Sequence, residues 1–184
     1  MGQTVDDAAG EAFDKAARVL GLPYPGGPRI DALAEEGDPH FLSLPHPKLD
    51  GRYDVSFSGV KTAFLNAVHG MEQRGESLPK ADLAASFRFA VCDQLAEKTG
   101  RLLRDQLAEG RKPVLALAGG VSANRELRRR MTELCGELGV PLYMPRPDLC
   151  TDNGAMIGAA AYYQLMRGTV ADLSLNAVPA LRFV

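Results

Sequence analysis

Residues 114–127, VLALAGGVSANREL, decide the fold class. Val114 to Ala118 is a short apolar run of the kind a buried strand requires, and Gly119-Gly120 ends it. From Asn124 onward, Leu127, Met131, Leu134 and Leu138 recur at helical spacing, and Gly139 is placed to cap that helix. Val140 to Met144 reads as a second strand. Asn153 to Met166 reads as a helix rich in Ala and Gly, small enough to pack closely on a sheet. Strand, glycine turn, helix, strand, helix is an α/β arrangement with parallel strands and right-handed crossovers.

Upstream of this unit the periodicity is helical. In DDAAGEAFDKAARVLG, Ala9, Phe13, Ala16, Ala17 and Leu20 fall on one face. Asp6 and Asp7 are expected in the first turn, where the helix dipole favours acids, and Gly21 is expected as the stop. Almost nothing precedes this helix, so the chain reads as the second half of a longer protein. GLPYPGGP, residues 21–28, is expected as a turn-rich loop, followed by a short helix from Ile30 to Glu35. The stretch with Pro39, Pro45 and Pro47 reads as irregular, and Tyr53 to Phe57 as a strand. A helix follows from Ser58-Gly59. Pro79 to Glu109 reads as one long helix burying Leu83, Phe87, Ala90, Val91, Leu95, Leu102 and Leu107, with Gly100 as a point of bending. There is no internal repeat.

The 184 residues are 46% hydrophobic and 24% charged, which excludes a disordered or collagen-like chain. Lys and Arg number 21 against 23 Asp and Glu, a net charge of −2 that argues against wrapping nucleic acid by charge alone. The absence of Trp gives no sign of a base-stacking platform. Cys92, Cys135 and Cys150 form no CxxC pair and suit a reducing compartment. The first residues are polar and acidic, unlike a signal peptide, and AMIGAAAYY is far too short for a membrane span. A cytoplasmic location is the expectation.

Four stretches carry residues suited to chemistry. In LALAGGVSANREL the glycines clear Cβ atoms where a ligand would lie, and Asn124 offers both a donor and an acceptor; the plainer reading is a tight turn and an N-cap. In CTDNGAMIG, residues 150–158, Asp152 stands at a helix start, as a ligand for a hard cation or as a cap. In DDAAGEAFDK with YPGGP, Asp14 is either an acceptor for a ligand or a solvated helix acid, and Gly26-Gly27 either bare a backbone or make a turn. In DVSFSGVKT, Ser58 and Lys61 have the spacing of an acylating serine, but an N-cap serine followed by a lysine is the simpler reading. His40, His46 and His69 form neither HExxH nor HxxxH. Cys150 reads as a packed thiol with no basic partner, and RELRRR, residues 125–130, as a solvated helix face.

Taken in order, DDAAGEAFDK, YPGGP, SFSGVKT, AGGVSANREL and PDLCTDNGAMIG resemble the C-terminal half of the bacterial TsaD-type tRNA N6-adenosine threonylcarbamoyltransferases, once described as O-sialoglycoprotein endopeptidases. The resemblance implies an actin-like ATPase (ASKHA) fold, of which this chain is the C-terminal lobe with a helical insertion. Residues 1–110 would be a mainly helical segment with a substrate-pocket loop, and 111–184 the nucleotide-binding lobe. It implies transfer of the threonylcarbamoyl group from threonylcarbamoyl-AMP to N6 of adenosine 37 in tRNAs reading ANN codons. Asp14, Gly27, Asp31 and Asn124 would bind substrate (threonylcarbamoyl-AMP, or ATP/ADP as adenylate ligand). Asp152 would ligate one divalent ion, Fe2+ or Zn2+. The implied partners are tRNA and TsaB-type and TsaE-type proteins.

Two parts of the family pattern are not in these residues: the paired histidines HxxxH and the SGGH-type loop. The expectation is therefore that the parent is an enzyme and the chain by itself is inactive. The family's DFSFSGLKT stands here as DVSFSGVKT. The rival readings are a non-catalytic adenylate-binding scaffold lobe and a metalloendopeptidase, the latter needing a histidine pair that this sequence lacks. The general base is not assignable.

Overall fold

The computed structural model describes residues 2–176, in two compact units, Met1–Cys150 and Thr151–Val184. The chain is α/β, mostly helical, with a small parallel sheet. In the first unit the order is α1 (Ala9–Val19), α2 (Gly26–Leu33), α3 (Ser58–Gln73), α4 (Lys80–Ala108), β1 (Leu115–Ala116), α5 (Arg125–Leu138) and β2 (Leu142–Tyr143). β1 and β2 pair in parallel, Leu115 with Leu142 and Ala116 with Tyr143, joined through α5 as expected. The second unit contains α6 (Gly154–Met166), its first turn capped by Asn153, whose side chain accepts the Met156 N–H. Residues 177–184, the end of the expected nucleotide-binding segment, lie outside the described residues.

The spine is α4, whose 29 residues run about 43 Å without a break. Its N-terminal half buries Leu83, Ala84, Phe87 and Val91 against Ala12, Phe13, Ala16 and Ala17 of α1, Ile30 of α2, and Val60, Phe64 and Val68 of α3. Phe87 is the centre: the rings of Phe13 and Phe64 stand 5.5 and 4.9 Å from it, both inclined to its plane. Farther along, Cys92 joins Leu127 and Met131 of α5, and Leu103 joins Cys135 and Val140. One helix thus connects the helical layer to the sheet-bearing segment.

Several local expectations change. α1 starts at Ala9, so Asp6 and Asp7 precede it and serve α3 instead. Asp6 accepts from Ser56 Oγ and from the Phe57 and Ser58 N–H groups, which caps α3 from fifty residues away; Ser58 is the first helical residue, not the cap. Burial opposes its charge, but these hydrogen bonds win and hold the Asp6 carboxyl below its ordinary value. Asp7 pairs with Lys61 and lies 3.6 Å from Lys15. YPGGP is not all loop, because α2 begins at Gly26. Tyr53–Phe57 is not a strand; Val55 makes one isolated bridge to Thr4, too little for a ladder. Gly100 does not interrupt α4, and a Cβ there would meet Leu134 of α5 at 3.1 Å. Leu107 is exposed, since the helix outruns its packing partners, and Leu103 is the buried residue of that turn.

The RELRRR run is a solvated face only in part: Arg125 and Arg129 are exposed, whereas Arg128 and Arg130 are half-buried. Arg129 forks between Glu126 and Glu133, and Arg130 reaches Glu126 and Asp93 while its guanidinium lies 4.5 Å from the Phe89 ring centre. The Arg129 hydrogen bonds, with help from Arg130, hold the Glu126 carboxyl down at about 2, against an ordinary 4.5. Because the folded value lies below the unfolded one, this stabilisation is complete above about pH 4.5 and is lost as pH falls toward 2. Thermal melts at decreasing pH should therefore show wild type losing more stability below pH 4.5 than Glu126→Gln, which has no carboxylate there to protonate. Equal losses in the two proteins would contradict the assignment.

Candidate adenylate site at the heads of α2 and α5

The segment between β1 and α5 is built by its glycine and serine. Gly119 has φ +81, a conformation that costs a residue with a Cβ, and it lets the chain leave the strand sharply. A single 3-10 turn, Gly120–Ala123, follows, with Ser122 Oγ donating to the Gly119 carbonyl at 2.6 Å. Asn124 then takes extended backbone geometry as the N-cap of α5. Its Oδ1 accepts the Leu127 N–H at 3.0 Å and the Cys92 thiol at 3.4 Å. Burial pushes the Cys92 thiol up to about 12, so it stays protonated and donates. Capping thus uses the oxygen of Asn124, as the plainer sequence reading has it.

At the head of α2 a second set forms. α2 has no capping side chain of its own, and Asp14 of α1 supplies one, its Oδ1 accepting the Gly26 N–H at 2.7 Å. The approach is tight: a Cβ on Gly26 would lie 2.5 Å from Ala17 Cβ and 2.8 Å from Asp14 Cα. The next residue is different, for a Cβ on Gly27 would meet nothing within 4 Å. A requirement for glycine at 27 therefore does not come from packing among the described residues.

Asp31, one turn on, faces inward at 7% exposure. Its Oδ1 accepts from Arg88 at 3.1 Å, and both its oxygens receive the Arg125 N–H, at 3.3 and 3.1 Å. The structure thereby brings Asp31 to the peptide that follows Asn124, while Asp14 and Gly27 stand together at the opposite end of the short α2. Asp152 belongs to the second unit and is exposed; Asn153, not Asp152, caps α6. Among the described residues no group of three or more His, Cys, Asp or Glu side chains is placed to hold a metal ion. Asp152 is one carboxylate, chemically suited to a divalent ion but supplying only part of the four or more donors that such an ion takes. Cys150 is buried as expected, its thiol donating to the Arg146 carbonyl, with the Arg128 guanidinium 4.0 Å from the sulfur as a basic neighbour the sequence reading did not see.

Sequence reasoning missed Arg88 and Cys92, the α4 residues that hold Asp31 and Asn124. The signal was present in AASFRFAVC, where one arginine sits inside an otherwise apolar stretch of a core helix. A charge there must be paired in the interior.

The two glycines of YPGGP should separate in a urea titration. Gly26→Ala forces Cβ into α1 and should cost about 1–3 kcal/mol. Gly27→Ala fills open space and should leave stability unchanged or raise it by up to ~1 kcal/mol. Equal destabilisation by both would mean that Gly27 too is packed against α1.

Comparison with known proteins places this sequence in a lineage. The family described as "TsaD: tRNA N6-adenosine threonylcarbamoyltransferase" matches residues 1–159. A protein named tRNA N6-adenosine threonylcarbamoyltransferase from Moorella thermoacetica is 50% identical over 182 residues, covering 98% of this chain and 52% of the relative. The protein of that name from Desulfitobacterium hafniense is 51% identical, with the same coverage. The one from Geobacillus kaustophilus is 50% identical over 186 residues, 100% of this chain and 53% of the relative. The chain therefore spans about half the length of the curated relatives it matches, and its extended match to their sequences is decisive: it belongs to the TsaD family.

Proposed function

We propose that the chain is the C-terminal part of a tRNA N6-adenosine threonylcarbamoyltransferase, with an actin-like lobe that carries the adenylate side of the site. The observation that carries this reading is the junction at Arg125, whose N–H meets Asp31 one peptide from Asn124. This joins two of the four residues that the family resemblance assigns to substrate. In this reading the Asn124 amide nitrogen donates to an acceptor on the nucleotide, Asp14 offers its second carboxylate oxygen, and Gly27 lets the ligand lie on bare backbone. These residues bind and orient; none of them is assigned the proton transfer. The reaction joins the threonylcarbamoyl carbonyl carbon to adenosine N6, breaks its bond to the phosphate oxygen, and releases AMP and the N6 proton. tRNA, TsaB-type and TsaE-type proteins are the partners, and the cytoplasm is the compartment. No helix among the described residues is long and apolar enough to cross a membrane.

Calorimetric titration of the chain with AMP tests this. Binding should saturate, and Asn124→Ala should weaken it by about 1–2 kcal/mol, the scale of one polar contact in a partly buried site. Wild-type affinity in Asn124→Ala would reduce Asn124 to a cap. No saturable binding by wild type would favour a scaffold lobe instead.

We also propose Asp152 as one carboxylate ligand of a divalent ion whose other ligands come from outside the described residues. A fusion of the chain to the preceding half of the Moorella relative provides the test. Asp152→Asn should leave its metal-free melting temperature within about a degree of wild type, since Asn153 holds the cap, and should strip iron or zinc as read by mass spectrometry. Full metal occupancy in the variant would exclude Asp152 as a necessary ligand.

A further inference from the structure

Two buried residues of α4, Arg88 and Cys92, stand one helical turn apart and engage Asp31 and Asn124, the residues on either side of the Arg125 junction. Arg88 is 9% exposed and spends its guanidinium on one region of chain. Its Nη1 donates to the Asp31 carbonyl at 3.0 Å, to Asp31 Oδ1 at 3.1 Å and to Glu35, and its Nη2 donates to the Ala34 carbonyl at 3.2 Å. Two of these acceptors are carbonyls at the C-terminal end of α2, the end of the helix dipole that favours a cation. Burial alone would make this arginine easier to deprotonate; Glu35 and Asp31 outweigh it and keep its charge secure.

The consequence lies on the carboxylate. Asp31, neutralised by Arg88 on one oxygen, turns both oxygens to the Arg125 N–H, the first amide of α5. The path Arg88 to Asp31 to Arg125 crosses α4, α2 and α5 and ends beside Asn124, whose own oxygen Cys92 engages from the next turn of α4. Without the Arg88 guanidinium, the buried carboxylate would keep as charge partner only the Arg125 guanidinium, 4.0 Å away and largely exposed, and would swing toward water with it, releasing the head of α5.

We propose that Arg88 is a positioning residue: through Asp31 it fixes the register of α5 against α2 and so holds Asn124 in its ligand-facing pose. The proposal rests on the adenylate reading of the site, and it deepens that reading by naming the residue that sets it.

Two measurements on the whole 184-residue chain keep the two claims apart. The first is AMP affinity in Arg88→Met, Asp31→Asn and the double variant, with Arg88→Lys as the conservative control. Arg88→Met should weaken AMP binding about ten-fold, as expected for losing a charged hydrogen-bond network, and Arg88→Lys less. In the Asp31→Asn background, Arg88→Met should add little, because the arginine acts through the carboxylate. The second is hydrogen exchange in the ligand-free chain. The Arg125 amide should exchange at least ten-fold faster in Arg88→Met while amides of α1 and α3 keep their rates.

Unchanged AMP affinity in a folded Arg88→Met chain would overturn the proposal, as would equal losses in both backgrounds. If wild type fails to bind AMP, the adenylate reading fails, and the exchange data alone decide the positioning claim. An unperturbed Arg125 amide would then overturn it, and a selectively exposed one would uphold the Arg88–Asp31–Arg125 link.

Discussion

A guanidinium taken out of water has to find acceptors, and Arg88 finds them all within five residues of chain, from Asp31 to Glu35. This requirement dictates much of what surrounds it. The C-terminal end of α2 must face α4, so that its last carbonyls meet the cation. Asp31 must point inward, so that the charge is matched. Once inward, its remaining acceptor capacity must be met as well, and the first amide of α5 meets it. A buried pair of this kind is weak ground for claims about net stability, because desolvation offsets most of the attraction. What it supplies is orientation. Three helices distant in sequence meet in one arrangement.

The apolar packing makes that arrangement affordable in free energy. The aromatic group around Phe87 holds α1, α3 and α4 together one residue from Arg88, while Phe89 on its other side supports Arg130. The exclusion of water by these rings strengthens the adjacent hydrogen bonds and makes an unpaired charge costly. Around this core, capping duties are exchanged between elements rather than kept within them. Asp14 of α1 caps α2, Asp6 ahead of α1 caps α3, and Asn124 caps its own helix while Cys92 of α4 steadies it. Side chains that a functional reading assigns to a ligand are therefore already half engaged by the fold. The opposing atoms, Asn124 Nδ2 and the second oxygen of Asp14, are what such a site would turn outward.

Local signals in the sequence were strong wherever the structure is local. The helical repeats of α1, α4 and α5, the glycine stop after α5 and the parallel pairing of β1 with β2 all follow from periodicity and from Gly119 and Gly139. The errors arose where a residue's partner is remote. Asp6 and Asp7 read as first-turn acids because dipole arguments concern the nearest helix, whereas their partners lie near residue 58. Tyr53–Phe57 looked like a strand because alternation says nothing about whether a neighbouring strand exists. Of the candidate site, the glycines and Asn124 were legible as a turn and a helix head. Their link to Asp31 was not, since it passes through Arg88, whose role depends on three-dimensional burial rather than on spacing. Asp152 is an exposed carboxylate of the second unit, next to Asn153, the cap of α6.

In the proposed reading the head of α5, held to the C-terminal turns of α2 through Asp31, and the head of α2 itself form one adenylate-binding surface. Amide chemical-shift mapping of the chain during titration with AMP reads this most directly. Saturable shifts should concentrate at Gly26, Gly27 and the Val121–Arg125 segment, with smaller changes at Asp31 and none along the Pro39–His46 stretch. Shifts confined to Pro39–His46 and Phe89, or shifts that grow linearly without saturating, would contradict it.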